Sequence, residues 1–295
     1  IETTTGPLGQ GFANTVGFAM AERHLNAEFG DGLVDHMSYV IAGDGCLMEG
    51  LSHEAASFAG HLKLGKLVVL FDDNGISIDG STDIATSDDI TQRFLSYGWQ
   101  VLECDGHNHE NINTALTEAK VDATKPSLIR CKTQIGYGSP NRGGTAKVHG
   151  APLGSDEIAI TKQSLDWEYE PFFVPDQILE DWRDFGSKGG SLCTEWEQRI
   201  RSDINGASLK KRLNDDHEAE THRAISDFKN QLIAEPQEVA TRVASQKSIE
   251  ALLPVYPSLF GGSADLTPSN LTALSCSSDY QKATPAGRYI RFGVR

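Results

Sequence analysis

Two short loops in this sequence carry residue types suited to holding a divalent cation against a diphosphate: Gly43-Asp44-Gly45 and Asp73-Asn74-Gly75-Ile76. Asp44 offers a hard anionic oxygen, Asn74 a neutral amide oxygen, and the Asn74-Gly75-Ile76 turn a free backbone carbonyl. Together they make half of an octahedral oxygen shell, which Mg²⁺ completes with water and phosphate. The glycines place no Cβ between backbone and diphosphate, and Gly45 stands just before an expected helix whose N-terminus favours anions. Gly-Asp-Gly alone is an ordinary strand-to-helix turn. Its pairing with a second loop one βαβ crossover away favours the metal–diphosphate reading. Other motif-like stretches do not survive. Gly43-x-Gly45-x-x-Met48 lacks the third glycine of a dinucleotide fingerprint, and Gly60-x4-Gly65-Lys66 ends in Leu67 and precedes a strand instead of following one. His53-Glu54 has Ser57 where a zinc protease needs its second histidine, and His107, His109 and Glu110 read as a solvated polar turn.

The two loops can meet only if the elements before them lie side by side. Tyr39 to Ala42 and Lys66 to Phe71 are short apolar runs bounded by Gly and Asp, with a helical stretch from about Met48 to Leu62 between them. A third strand around Trp99 to Leu102, a helix from about Glu110 to Val121 and a fourth strand at Ser127 to Cys131 continue the alternation. The rhythm predicts an α/β fold, a parallel sheet with helices on both faces, and parallel strands deliver both loops to their carboxyl ends, where such sheets bind ligands. Before the first strand, Gly6-Pro7-Leu8-Gly9-Gln10-Gly11 enters a helix whose Ala13, Gly17 and Ala21 form a small-residue face expected to be buried. Residues 136–154 are rich in glycine and read as an active-site loop. From about 155 to 235 the pattern is helical and irregular. A new one starts near Val239: a helix to about Leu253, then a strand over Ser258 to Ser263 running into Ala264-Asp265, and a strand-like Tyr289-Ile290-Arg291-Phe292.

The 295 residues carry 26 Lys and Arg against 41 Asp and Glu, a net charge of −15. That field repels phosphate backbones and anionic membranes, which disfavours nucleic acid and membrane as partners. The five cysteines have no C-x-x-C pair and suit a reducing, cytoplasmic compartment. The length predicts about two domains.

In the same order and at similar spacing, Gly6-Pro7-Leu8-Gly9-Gln10-Gly11, Gly43-Asp44-Gly45 with Asp73-Asn74-Gly75-Ile76-Ser77-Ile78-Asp79-Gly80, His149-Gly150-Ala151-Pro152-Leu153-Gly154 and Gly262-Ser263-Ala264-Asp265-Leu266 with Pro268-Ser269-Asn270 resemble the transketolase family. The resemblance implies a thiamine-diphosphate-binding fold divided into a diphosphate-binding domain at 1–205, a linker at 206–235 and the start of a pyrimidine-binding domain at 236–295. It implies a homodimer that moves a two-carbon ketol unit between sugar phosphates in the pentose phosphate pathway or Calvin cycle, with thiamine diphosphate and Mg²⁺, for which Ca²⁺ or Mn²⁺ can substitute. Dihydroxyacetone synthase, or a non-catalytic cofactor-holding subunit of a split enzyme, are the alternatives. The resemblance further implies that Asp44, Asn74 and the Ile76 carbonyl hold the metal. Gly6, Pro7, Leu8, Gly45, Asn74 and His149 would touch the cofactor, and His149 and Asp265 would serve catalysis. His149, Arg242 and Ser269 would bind substrate, while Glu49 and Glu54 would link the two active sites of the dimer. The family's activating glutamate is expected directly after Gly293-Val294-Arg295, so the 295 residues alone are expected to be inactive.

Overall fold

The computed structural model describes all 295 residues, which divide into two compact units: Ile1–Ala21 with His36–Ser187, and Glu22–Asp35 with Lys188–Arg295. Helix α1 (Gln10–Phe29) contributes to both. The first unit continues with β1 (Ser38–Gly43), α2 (Asp44–Met48), α3 (Gly50–Leu62), β2 (Leu67–Asp73), a small hairpin of β3 (Ile76–Ser77) and β4 (Gly80–Ser81), α4 (Ile90–Ser96), β5 (Gln100–Asp105), α5 (His109–Ala119), β6 (Ser127–Lys132) and α6 (Ser155–Ser164). Helix α7 (Asp176–Ser202) leads into α8 (Gly206–Leu213), α9 (Glu218–Ala234), α10 (Thr241–Leu252), β7 (Gly261–Ser263), α11 (Thr267–Asn270) and β8 (Tyr289–Arg291).

The four long strands form one parallel sheet in the order β1-β2-β6-β5. Strand β2 is central, and its Leu67, Val68, Val69 and Phe71 are buried, as a near-continuous apolar run in a parallel sheet should be. On one face Val68, Cys104, Ile129 and Cys131 pack with Ala115 and Ala119 of α5. That cover does not extend to β1, where Tyr39 and Ile41 are 48% and 78% exposed. Cys104 and Cys131 are register partners with sulfurs 3.8 Å apart, and burial, then the neighbouring thiol, pushes Cys131 up to about 12.

Several local expectations change in the structure. The single helix expected from Met48 is broken: Glu49 adopts extended geometry, closing α2 and opening α3. The helix after β1 starts at Asp44, so Gly45 lies inside its first turn. The small face of α1 is not the buried one. Gly17 and Ala21 are exposed, while Phe12, Val16 and Ala19 pack inward, because this stripe at helical spacing carries more apolar area than Ala13, Gly17 and Ala21 do. Helix α4, unanticipated from the sequence, is capped by the Asp89 side chain accepting from the Gln92 amide at 3.0 Å. In the second unit the expected strand at 258–263 shortens to Gly261–Ser263, paired in parallel with β8. The core there joins Phe29, Leu33, Val34, Ile200 and Leu209. Arg212 grips Glu28 with contacts of 2.6 and 2.7 Å and donates to the Pro257 carbonyl at 2.7 Å.

Trp99 ties the first unit together. Its indole nitrogen donates to the Ala56 carbonyl of α3 at 2.8 Å, and its ring meets Phe94 edge-on at 5.0 Å and stacks near Phe12 at 6.2 Å. Close approach beside it requires Gly60, where a Cβ would stand 1.9 Å from the Tyr97 carbonyl oxygen. Gly60→Ala is therefore expected to destabilise the protein by about 1–3 kcal/mol, since backbone must shift to admit the methyl. The measurement is urea unfolding, with a lowered midpoint at unchanged m-value.

Candidate functional site

The parallel register sets Gly43 opposite Asp72, Asp72 opposite Cys131 and Asp105 opposite Lys132. Residues following β1, β2, β5 and β6 thus leave the sheet at one edge: Asp44, Asn74, His107 and Thr133. Asp44, in the first turn of α2, accepts a hydrogen bond from the Gly75 amide at 3.2 Å, so its carboxylate lies over the Asn74-Gly75-Ile76 loop. That loop turns tightly, with Gly75 at φ 69° and the Ile76 amide donating to Asn74 Oδ1 at 3.0 Å. The hairpin that follows is closed by the Thr82 amide donating to the Gly75 carbonyl at 2.9 Å.

Two carboxylates here have opposite circumstances. Asp73 is saturated with cations: Arg130 reaches it at 2.7 and 3.1 Å and Lys132 at 2.6 Å, while Arg130 is held by Thr91 at 2.7 Å. Asp44 has no Lys or Arg partner. Burial, then the Asp73 charge, holds its carboxyl above the ordinary range, against the opposing pull of the Gly75 and Asn74 amides. A half-buried, unpaired carboxylate next to an amide oxygen matches the hard-oxygen set of a small divalent cation. A Cβ on Gly43 would meet nothing within 4 Å, leaving room for phosphate oxygens. These residues fit a metal-bridged diphosphate.

The other expected site residues fall into four groups. Gly6, Pro7 and Leu8 are exposed, and the Leu8 Cδ1 atom lies 3.1 Å from where a Gly45 Cβ would be, so this loop leans on the Asp44 turn. Gly9 (φ 78°) abuts Glu49 and Ser52, while Glu49 and Glu54 are exposed. His149 is exposed in the loop that leaves the sheet after β6. In the second unit, Arg242 lies near the start of α10 and Ser269 in α11, both exposed and without a hydrogen bond or ion pair between them, and Asp265 holds a left-handed backbone at φ 62°.

Some residues that shape the site went unassigned from the sequence. His107 is no idle polar turn: its Nε2 accepts the Gln134 amide at 2.8 Å and its ring stacks on Tyr137 at 3.9 Å. Buried Glu157 gathers the glycine-rich loop through the Ser139 hydroxyl and the Asn141 backbone and side-chain amides, at 2.9 and 3.0 Å for the last two. The Ser139 hydroxyl and Asn141 amides hold its carboxyl below the usual range. Thr133 donates to Asp72 across neighbouring strand ends. A polar residue within two positions of a strand end was the only sequence signal for His107 and Thr133.

Residues 1–227 match the family model described as the thiamine diphosphate binding domain of transketolase. The chain belongs to the transketolase family. It is 46% identical to transketolase 1 of Escherichia coli (strain K12) and 48% identical to transketolase of Cereibacter sphaeroides, with all of this chain covered but only 46% and 45% of theirs. Among solved structures, transketolase from Leishmania mexicana superposes with a TM-score of 0.88 at 41% identity, and that of Pichia stipitis in complex with sedoheptulose 7-phosphate with 0.87 at 39%; each match covers all of this chain and 45% of the other. The chain spans less than half the length of these transketolases. No helix is long and apolar enough to cross a membrane.

The raised carboxyl of Asp44 has a consequence for stability. The folded state keeps this proton to a higher pH than the unfolded chain, so stability falls as pH rises between the two pKa values, and the whole cost is present at neutral pH. Asp44→Asn is expected to raise the melting temperature of the metal-free protein at pH 7, the gain shrinking as pH falls through the carboxylate range. Thermal melts of both proteins from pH 4 to pH 7 check this.

Proposed function

We propose that the protein is a transketolase, reversibly transferring a two-carbon ketol group from a ketose phosphate to an aldose phosphate, with thiamine diphosphate and Mg²⁺. The observation that carries this reading is the unpaired Asp44 carboxylate bonded onto the Asn74–Ile76 loop at the carboxyl edge of the sheet, in a chain of this family. The Pichia stipitis complex named above holds a sugar phosphate, in keeping with that substrate class. The intact enzyme is a cytoplasmic homodimer in this reading, with exposed Glu49 and Glu54 linking its two sites. Residues 1–205 form the diphosphate-binding domain, 206–235 the linker and 236–295 the start of the pyrimidine-binding domain.

When bound, thiamine diphosphate supplies the nucleophilic carbon and the electron sink for breaking and making a carbon–carbon bond. The chain's own residues bind and orient. Asp44, Asn74 and the Ile76 carbonyl hold Mg²⁺. Gly45 lets the diphosphate approach the α2 backbone, and Gly6, Pro7 and Leu8 line the ring portion. In this reading His149 would serve diphosphate and substrate, and Asp265 would serve catalysis, its left-handed backbone a strain typical of functional positions. Arg242 and Ser269 grip the sugar phosphate, the guanidinium fork matching phosphate oxygens.

The test is ketol transfer by the full-length enzyme, with and without EDTA. Activity that ignores chelation and added Mg²⁺ would count against the reading. Arg242→Ala is expected to raise KM for phosphorylated ketoses by about 10- to 100-fold, the loss of one charged hydrogen bond, and to leave KM for unphosphorylated ketoses nearly unchanged. Parallel kinetics on the two substrate types check the Arg242 assignment, which equal losses would overturn.

A further inference from the structure

An asparagine that ligates a hard cation must present its oxygen and not its nitrogen, and the side chain by itself has no preference. At Asn74 the choice is made by two neighbours. Its Nδ2 donates to Asp72 Oδ2 at 3.3 Å, and its Oδ1 accepts the Ile76 amide at 3.0 Å. Turning the amide over would face oxygen to the Asp72 carboxylate and NH₂ to the Ile76 N–H, so both contacts would become repulsive. Asp72 is itself held, because the Thr133 hydroxyl donates to its other oxygen, Oδ1. Both Asp72 oxygens are thus engaged within the protein, although Asp72 is an acid two residues from Asn74 at the same strand end.

We propose that Asp72 is a positioning residue for the metal: through Asn74 it fixes which atom faces the cation, and Thr133 fixes Asp72. The inference rests on the metal reading proposed above. One lone pair of Asn74 Oδ1 accepts the Ile76 amide, and the second remains for the cation. Outer hydrogen bonds of this kind commonly change metal affinity by about 10- to 100-fold when removed.

The experiment is calorimetric titration of Mg²⁺, and separately of Mn²⁺, into the full-length metal-free enzyme saturated with thiamine diphosphate. Wild type, Asp72→Ala, Asp72→Asn and Thr133→Val are compared, with a thermal melt of each metal-free protein. Asp72→Ala is expected to weaken both metals by about 10- to 100-fold. Asp72→Asn is expected to recover most of the affinity, since its amide oxygen still accepts from Asn74 while its NH₂ donates to the Thr133 hydroxyl. Thr133→Val keeps the carboxylate and is expected to weaken binding by a few fold. Equal weakening in Asp72→Ala and Asp72→Asn would assign the effect to the lost charge and overturn the proposal, as would unchanged affinity in Asp72→Ala. If Asp72→Ala does not fold, Thr133→Val decides: weaker binding supports the proposal and wild-type affinity overturns it. Wild-type enzyme that binds neither metal would instead overturn the metal reading itself.

Discussion

The parallel pairing of β1 with β2, in the register that sets Gly43 beside Asp72, is the constraint on which the candidate site depends. Side chains alternate faces along a strand, so a slip of one residue would exchange the residues β2 presents to the sheet's two covered faces and take Val68 off the face that packs on α5. The apolar run Leu67 to Phe71 therefore locks the register from within the core, and the polar residues beyond it inherit their places. Asp44 and the Asn74 loop emerge side by side because their strands are fastened several residues earlier.

Charge at that edge is distributed unequally. Asp73 receives Arg130 and Lys132, whereas Asp44 receives only backbone amides. Asp44 is left without a cationic partner where the cation is proposed, and the cost appears in its raised carboxyl. A site held in this condition lowers the stability of the metal-free protein in favour of the bound state, the usual trade between stability and function. Asp72 belongs to the same economy of contacts: its oxygens are taken up by Thr133 and Asn74.

The glycine-rich loop shows how a segment without regular structure is positioned. Buried Glu157 of α6 grips Ser139 and Asn141, and the His107–Tyr137 stack holds the chain just before them, so the first part of the loop is fastened to α6 and to the sheet edge. Glycines within it tolerate contacts no side chain would allow, as at Gly138, where a Cβ would fall 2.7 Å from Leu165. In the second unit, buried His24 does comparable work, with its Nδ1 3.0 Å from the Pro285 carbonyl and its ring against Phe260.

The α/β alternation, the strands at Tyr39 to Ala42, Lys66 to Phe71, Trp99 to Leu102 and Ser127 to Cys131, and the two oxygen-bearing loops were legible in the sequence. They rest on local apolar periodicity and on Gly, Asp and Asn at strand ends, which are properties of neighbouring residues. The four blocks shared with the transketolase family were legible too, because cofactor contacts demand particular residue types at particular places. The strand order β1-β2-β6-β5 was not, since it depends on which apolar faces meet at long range. Nor was the break at Glu49, where a helix-compatible stretch takes extended geometry. Asp72, Thr133, His107 and Glu157 carry no motif, and their roles arise only when chain-distant strand ends and loops come within a hydrogen bond of each other. Sequence alone determined which groups could carry chemistry, because type and spacing are local. Tertiary structure decided which of them are paired, buried and oriented, because burial and hydrogen-bond partners are set by residues far apart in the chain.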